Sequence, residues 1–412
     1  MIQKKEVICE NCDLVLSIPY TNNGKFIGIC PRCHKNLYHY NASPYIFSLC
    51  YAITALIFVI TTDLLPFISI SLSGIYQSMQ ILDFIKVMID DNYLFFTIFI
   101  FVLMQVIPIL CLLIIISTDL CIIYKKPLRI LENFQKIYNF CISWSMADVF
   151  LVGVLVSLIK LVSLVEVGYG LGFWCFILFV IFYILSLSFF DKEFVWEFIK
   201  TKEMYQPVKV LKGITISGQN LKYCKRCFLI QPKENKKCER CGMKSDLSLK
   251  NSRIICFAML LTAFIMYIPA NVYPIMITTY LGSTSPSTII DGVIELWEME
   301  SYFVSIVIVV ASIIIPLFKI FTLLYLCIST YYFSRTLKKR KLTILYRFVE
   351  FIGKWSMIDV FVVAIMSTIV KVDNLMTIDP GNAILPFTIV VILTMIAARI
   401  FNSKYLWIKD KD

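Results

Sequence analysis

The sequence predicts an all-α polytopic membrane protein: two tandem four-helix transmembrane modules, each preceded by a small β zinc ribbon. Three observations lead there. Hydrophobic residues fill 59% of the 412 positions and charged residues only 16%, where a soluble domain averages about a quarter charged. Two clusters of four cysteines each stand ahead of a long apolar region. The second half also repeats landmarks of the first at a nearly constant offset.

The first cluster is Cys9-x2-Cys12 and Cys30-Pro31-Arg32-Cys33; the second is Cys224-x2-Cys227 and Cys238-x2-Cys241. A two-residue gap lets both sulfurs of a knuckle face one point, so paired knuckles supply four thiolates to a tetrahedral Zn²⁺. In the first ribbon, residues 1–43, Asn22-Asn23-Gly24-Lys25 is a hairpin signal between Leu14-Val15-Leu16 and Phe26-Ile27-Gly28-Ile29. The second ribbon, residues 220–250, has a shorter gap with a basic end. No coordination position stays open in such a site, which makes the metal structural, and iron in place of zinc fits the same four thiolates. A redox reading of C-x-x-C needs a βαβ surround that the pattern lacks. His34 and His39 follow the first cluster as bystanders, since four thiolates are already present. The other seven of the 15 cysteines are scattered through apolar stretches, as small hydrophobes are. Thiolate knuckles suit a reducing compartment.

Eight apolar stretches approach the roughly 20 residues that span a bilayer: 45–68, 93–118, 147–167 and 172–190 in module 1 (44–190), then 253–275, 302–330, 357–373 and 384–402 in module 2 (251–403). A linker (191–219) and a tail (404–412) complete the division. The net charge of +11 comes from short basic segments between apolar ones, as topology signals do, and does not suggest nucleic acid. Segment 276–301 has no Lys or Arg and 71–92 has only Lys86, whereas Lys125, Lys126, Arg129 and the run Arg335 to Lys341 lie on the other side. Both termini, the linker and both ribbons are therefore expected in the cytoplasm. Met1 to Glu10 is polar, so no cleavable leader is expected.

The repeat brings polar residues into the apolar segments. Trp144-Ser-Met-Ala-Asp148-Val-Phe150 recurs as Trp355-Ser-Met-Ile-Asp359-Val-Phe361, and Lys160 and Lys371 each lie twelve residues beyond the Asp. Twelve residues are about 18 Å of helix, so Asp and Lys of one helix belong to opposite ends and cannot pair with each other. Asp63, Asp83 and Pro108 match Asn271, Asp291 and Pro316 at an offset of 208, while the Trp-Ser-Met motifs are offset by 211. Lys319 lies one turn after Pro316, and Cys111 is its counterpart. An amine this deep points to Asp359 as counter-charge and Thr394 as hydroxyl partner; a functional pair, a structural ion pair and snorkelling all remain open.

With Pro269-Ala-Asn-x2-Pro274 and the two Trp-Ser-Met-x-Asp-Val-Phe motifs behind their ribbons, the chain resembles two-module members of the paraquat-inducible protein A family over nearly its whole length. The first module departs from the Pro-Ala-Asn form at Thr61-Thr-Asp63-Leu-Leu-Pro66. The resemblance implies a multi-pass protein of a Gram-negative inner membrane. It also implies transport of phospholipid to or from a periplasmic partner with mammalian-cell-entry domains, and a polar network of Lys319, Asp359 and Thr394, with a lipid-sized cavity beside it.

The chain carries no G-x-x-x-x-G-K-[ST] phosphate loop and only two histidines, which argues against ATP hydrolysis and general-base catalysis. A transporter component is thus the leading expectation, and no enzymatic role is expected. A non-transporting anchor for the periplasmic tube and a thiol- or quinone-linked redox protein are the alternatives.

Overall fold

The computed structural model describes residues 3–407 except 21–26, 40–43, 73–74, 91–93, 127–129, 163–165, 200–207, 209, 245–248, 281–282, 299, 301, 333–335, 370–375 and 402. Strands β1 (Gln3–Ile8), β2 (Val15–Tyr20), β3 (Ile27–Ile29) and β4 (Asn36–His39) lead into α1 (Pro44–Leu64). The hairpin β5 (Ile68–Leu72) and β6 (Ile75–Met79) is followed by the amphipathic α2 (Ile81–Asp90). Then come α3 (Leu94–Phe101), a π-helical stretch Val102–Val106, α4 (Ile107–Ile123), α5 (Ile130–Trp144), α6 (Ala147–Val162), β7 (Glu166–Tyr169), α7 (Leu171–Phe189) and α8 (Lys192–Ile199).

The second half repeats this order. It has β8 (Leu221–Tyr223), β9 (Ile230–Pro232), α9 (Leu249–Val272), β10 (Met276–Tyr280), β11 (Ser283–Ser287), α10 (Ile289–Glu298) and α11 (Tyr302–Ile308). A π-helical stretch Val309–Ile314 leads to α12 (Ile315–Tyr332), α13 (Thr336–Gly353), a 3₁₀ turn Trp355–Met357, α14 (Ile358–Ile369), β12 (Met376–Pro380) and α15 (Ile384–Ile400). Both π stretches stand just before a proline, Pro108 or Pro316. Without an N–H, proline leaves a carbonyl of the preceding turn unpaired, and a widened turn absorbs the mismatch.

Six helical segments among the described residues are long and apolar enough to cross a membrane: Tyr45–Leu64, Thr97–Ile123, Ile130–Ile159, Leu171–Phe189, Asn251–Val272 and Ser305–Thr330. The first four and the last two correspond to expected spans, with the 147–167 stretch joined to α5. The expected spans 357–373 and 384–402 are shorter as helices. The Trp355–Met357 turn takes the first residue of the former, α14 is described over 12 residues to Ile369 with 370–375 outside the described residues, and α15 has 17. Exposed Ile254, Phe257, Leu261, Ile265 and Ile268 line one face of α9, at the spacing of a helix that meets lipid. The chain is a multi-pass membrane protein.

Each half also carries a three-stranded antiparallel sheet, β6-β5-β7 or β11-β10-β12, at the end away from the ribbons. The sequence analysis treats these segments as loops, so the sheets are an addition. The two halves meet where α6 packs on α14, with the Phe150 and Phe361 rings 5.4 Å apart and edge to face. Strand pairing in the first ribbon differs from the hairpin reading. The Asn22 to Lys25 turn lies outside the described residues. Among those described, β1 pairs with β2 and β3 with β4, so each knuckle is itself the turn of a hairpin.

Candidate metal centres and a buried amine

All four knuckles share one backbone design. In each, the N–H four residues after the first cysteine donates to that cysteine's carbonyl (Asp13 to Cys9, His34 to Cys30, Phe228 to Cys224, Gly242 to Cys238). The residue at that fourth position has positive φ every time: 61° at Asp13, 55° at His34, 64° at Phe228 and 68° at Gly242. Only one of the four is glycine, so three side chains hold a left-handed conformation because the turn requires it. His34 therefore has a backbone role, and His39 lies in β4.

The turns aim four buried sulfurs inward. Cys9, Cys12, Cys30 and Cys33 form one group, Cys224, Cys227, Cys238 and Cys241 the other, with all Sγ atoms of a group within 4.8 Å of one another. The closest pairs are 3.3 Å (Cys9–Cys33) and 3.4 Å (Cys227–Cys238). Tetrahedral zinc with Zn–S bonds of about 2.3 Å sets sulfurs about 3.8 Å apart, so the donor set fits a thiolate-bound metal. Within each group the sulfur–sulfur contacts lower some thiols (Cys33, Cys224) and raise others (Cys12, Cys227); a soft cation would take the place of the shared protons.

Each ribbon docks on the half it does not precede. The first ribbon sits under the second half: Arg347 of α13 donates to the carbonyls of Cys33 (3.2 Å) and His34 (3.4 Å). Lys404 pairs with Asp13 at 3.1 Å, and the Arg32 guanidinium lies 4.4 Å from the Trp407 ring centre. The second ribbon sits under the first half, its four cysteines packed on Trp196 of α8, with Arg240 donating to the Trp196 carbonyl. Ile8 and Val15 of one ribbon meet Ile216 and, beyond it, Leu221, Tyr223 and Ile230 of the other. Both ribbons therefore share one end of the bundle and clasp the halves crosswise.

Inside the second half, Lys319 of α12 is fully buried. Its ammonium donates to Ser356 Oγ at 3.0 Å and to the Gly353 carbonyl at 3.3 Å, both at the break between α13 and α14. Ser356 belongs to the Trp-Ser-Met motif. In the first half the matching Ser145 also receives a bond, from the hydroxyl of Tyr183 on α7 at 2.6 Å. Tyr183 stands where the second half has Thr394, and Cys111 where it has Lys319. The same serine is thus reached by a long polar side chain from different helices in the two halves.

A family model described as "Paraquat-inducible protein A" matches residues 47–200 and again 255–410. The chain belongs to the paraquat-inducible protein A family. It is 34% identical to "Intermembrane transport protein PqiA" of Escherichia coli (strain K12), over 99% of this chain and 97% of the relative. It is 30% identical to a "Probable intermembrane transport protein" of Haemophilus influenzae, over 98% and 96% of the two chains. It is 27% identical to the "Lipophilic envelope-spanning tunnel protein A" of Escherichia coli (strain K12), over 97% and 90%. No solved structure matches the chain. The two matched segments begin after the ribbons, so the paraquat-inducible protein A repeat is the helical part with its sheet.

Of the expected polar residues, Lys319 and Thr394 are buried in the second half, but Thr394 Oγ1 bonds the Val391 carbonyl of its own helix. Asp148 is half-buried in the first turn of α6. The side chains of Asp359 and Lys160, and all of Lys371, lie outside the described residues. Ser356 and Ser145 were present in the quoted motif without being singled out; their retention in both repeats was the available signal. An apolar cleft of about 410 Å³ lies in the first half, lined by Ile98, Phe99, Val102, Leu103, Ile107, Phe140 and Trp144.

Proposed function

We propose that the chain is the inner-membrane component of a system that moves phospholipid between the inner and outer membranes. It hands lipid to, or takes it from, a periplasmic tube of mammalian-cell-entry domains. In this reading each half is a four-helix transmembrane module, residues 44–190 and 251–403. The ribbons and both termini face the cytoplasm, the three-stranded sheets face the periplasm, and each ribbon holds a structural Zn²⁺.

The observation that carries the reading is the buried amine of Lys319 within a membrane helix, bonded among the described residues to two neutral oxygens. A cation kept inside the bilayer is costly and marks a pathway for charge, here the phosphate of a lipid head group. Asp359 follows Ser356 by three residues and supplies the alternating counter-charge, with Thr394 alongside. Asp148, Lys160 and Lys371 mark the two ends of the path. The printed names of the relatives, intermembrane transport and envelope-spanning tunnel, point to the same task.

Purification from membranes tests it: phospholipid and a tube-forming partner should co-purify, and metal analysis should find two zinc ions per chain. In a strain lacking redundant systems, Asp359→Asn should weaken the outer-membrane barrier as much as deletion does. An intact barrier in that variant would favour a passive anchor and remove the transport reading.

A further inference from the structure

Five buried side-chain atoms in the first half have no hydrogen-bond partner among the described residues: Asp119 Oδ2, Gln135 Nε2 and Oε1, Tyr138 OH and Ser186 Oγ. Tyr138 faces Asp119, with Gln135 one turn before it on α5, and the side chains are fully buried, Asp119 at 1% exposure and the other three at 0%. They come from α4, α5 and α7, each within about eight residues of its helix's ribbon-side end. Ser48 of α1 closes the ring, its hydroxyl beside Asp119 and donating to the Ser186 carbonyl at 3.4 Å.

The second half supplies an internal control. Its matching positions are Cys256, Cys327, Tyr346, Val349 and Ala397. There Cys327 bonds Cys256 at 3.4 Å, and the Tyr346 hydroxyl donates to the carbonyls of Ala398 (3.0 Å) and Phe401 (3.1 Å). The same helices therefore pack with every group apolar or paired, and the fold does not need the first half's polar set. Leaving a buried polar atom unpaired costs about 1–3 kcal/mol, so five together call for something that bonds them. Asp63 shows the same asymmetry: it accepts from Gln105, its other oxygen is unpaired, and its counterpart is Asn271.

The donor set defines the ligand. Among the described residues no Lys or Arg pairs with Asp119. Tyr138 on α5 faces Asp119, and around Tyr138 and Cys111 lie the further titratable groups Cys141 on α5, Tyr183 on α7 and Lys192 on α8. The Lys192 amine lies 5.2 Å from the centre of the Tyr138 ring. One carboxylate with neutral amide and hydroxyl oxygens balances a single positive charge, whereas divalent ions draw on several carboxylates. We propose that Asp119, Gln135, Tyr138, Ser186 and Ser48 form a closed site for a small monovalent cation, a hydrated proton or Na⁺. The site is independent of the lipid reading.

Thermal unfolding of the full chain in nanodiscs tests it, with NaCl exchanged for choline chloride at constant ionic strength and, separately, with pH varied at fixed salt. A bound cation raises the midpoint by mass action. Sodium as ligand gives a midpoint that climbs by several degrees with NaCl; a proton gives one that depends on pH and ignores NaCl. Either dependence should vanish in Asp119→Asn and persist in Cys327→Ala. Tyr138→Phe should weaken the apparent affinity several-fold while keeping the fold, which covers the case of an unstable Asp119→Asn. Wild-type protein whose midpoint ignores NaCl and whose pH response is also unchanged in both first-half variants overturns the proposal.

Discussion

The two halves share a frame and differ inside it. Both have the sheet of one order, a π stretch before a proline, and a Trp-Ser-Met turn whose serine accepts a bond. In the second half that bond comes from the Lys319 ammonium; in the first it comes from the neutral Tyr183 hydroxyl. Towards the ribbons the asymmetry reverses: the first half has the carboxylate Asp119 where the second has Cys327. Duplication has kept what packing and turns demand and divided the charges, amine in one half and acid in the other.

The largest effect should follow loss of metal, because structural zinc contributes about 10–16 kcal/mol to the folding of small ribbons. The crossed docking makes the outcome specific. Cys12→Ser should raise hydrogen exchange most in α13 and residues 403–407 of the second half, and Cys227→Ser most in α8 of the first. Exchange rising instead in the half that follows the altered ribbon would break the crossed arrangement.

Next comes the shared frame itself. Gly170 and Gly381 occupy matching turns into α7 and α15, where an added Cβ would stand 2.0 Å from the Pro66 carbonyl and 2.2 Å from that of Pro274. Alanine at either position should lower the unfolding midpoint by several degrees, an overpacking cost of about 1–3 kcal/mol. Equal losses in the two variants sharpen the claim of a common frame; a silent Gly381→Ala contradicts it. The smallest effect belongs to Arg347→Ala, which removes two partly solvated bonds to ribbon carbonyls worth about 1 kcal/mol together. Proteolysis between the first ribbon and α1 should become faster, with little change around the second ribbon.

Much of this was legible in the sequence. C-x2-C spacing located both four-cysteine groups, because four thiolates at that separation have few uses other than holding a metal. Apolar length located six spans. The 208- and 211-residue offsets announced the duplication. What stayed hidden depended on distance in space. Crossed docking of the ribbons comes from residues far apart in sequence, such as Arg347 with Cys33, which no local pattern links. Asp119 falls one residue past the 93–118 apolar stretch, where a lone acid resembles a head-group neighbour. Short strands such as β10 (Met276–Tyr280) carry no periodicity long enough to separate them from loop. The 3₁₀ turn Trp355–Met357 sets the start of α14 at Ile358 within a stretch that reads as continuously apolar.

The most direct test of the account compares Lys319→Met with Tyr183→Phe for transfer of labelled phospholipid from proteoliposomes to acceptor vesicles, with the proposed tube partner supplied. Both changes remove a bond to a Trp-Ser-Met serine, but only one removes a charge. Loss of a charged bond worth about 1.5–3 kcal/mol predicts transfer falling by about tenfold or more in Lys319→Met, with Tyr183→Phe near wild type. Equal transfer by the two variants would contradict the assignment of the buried amine to lipid.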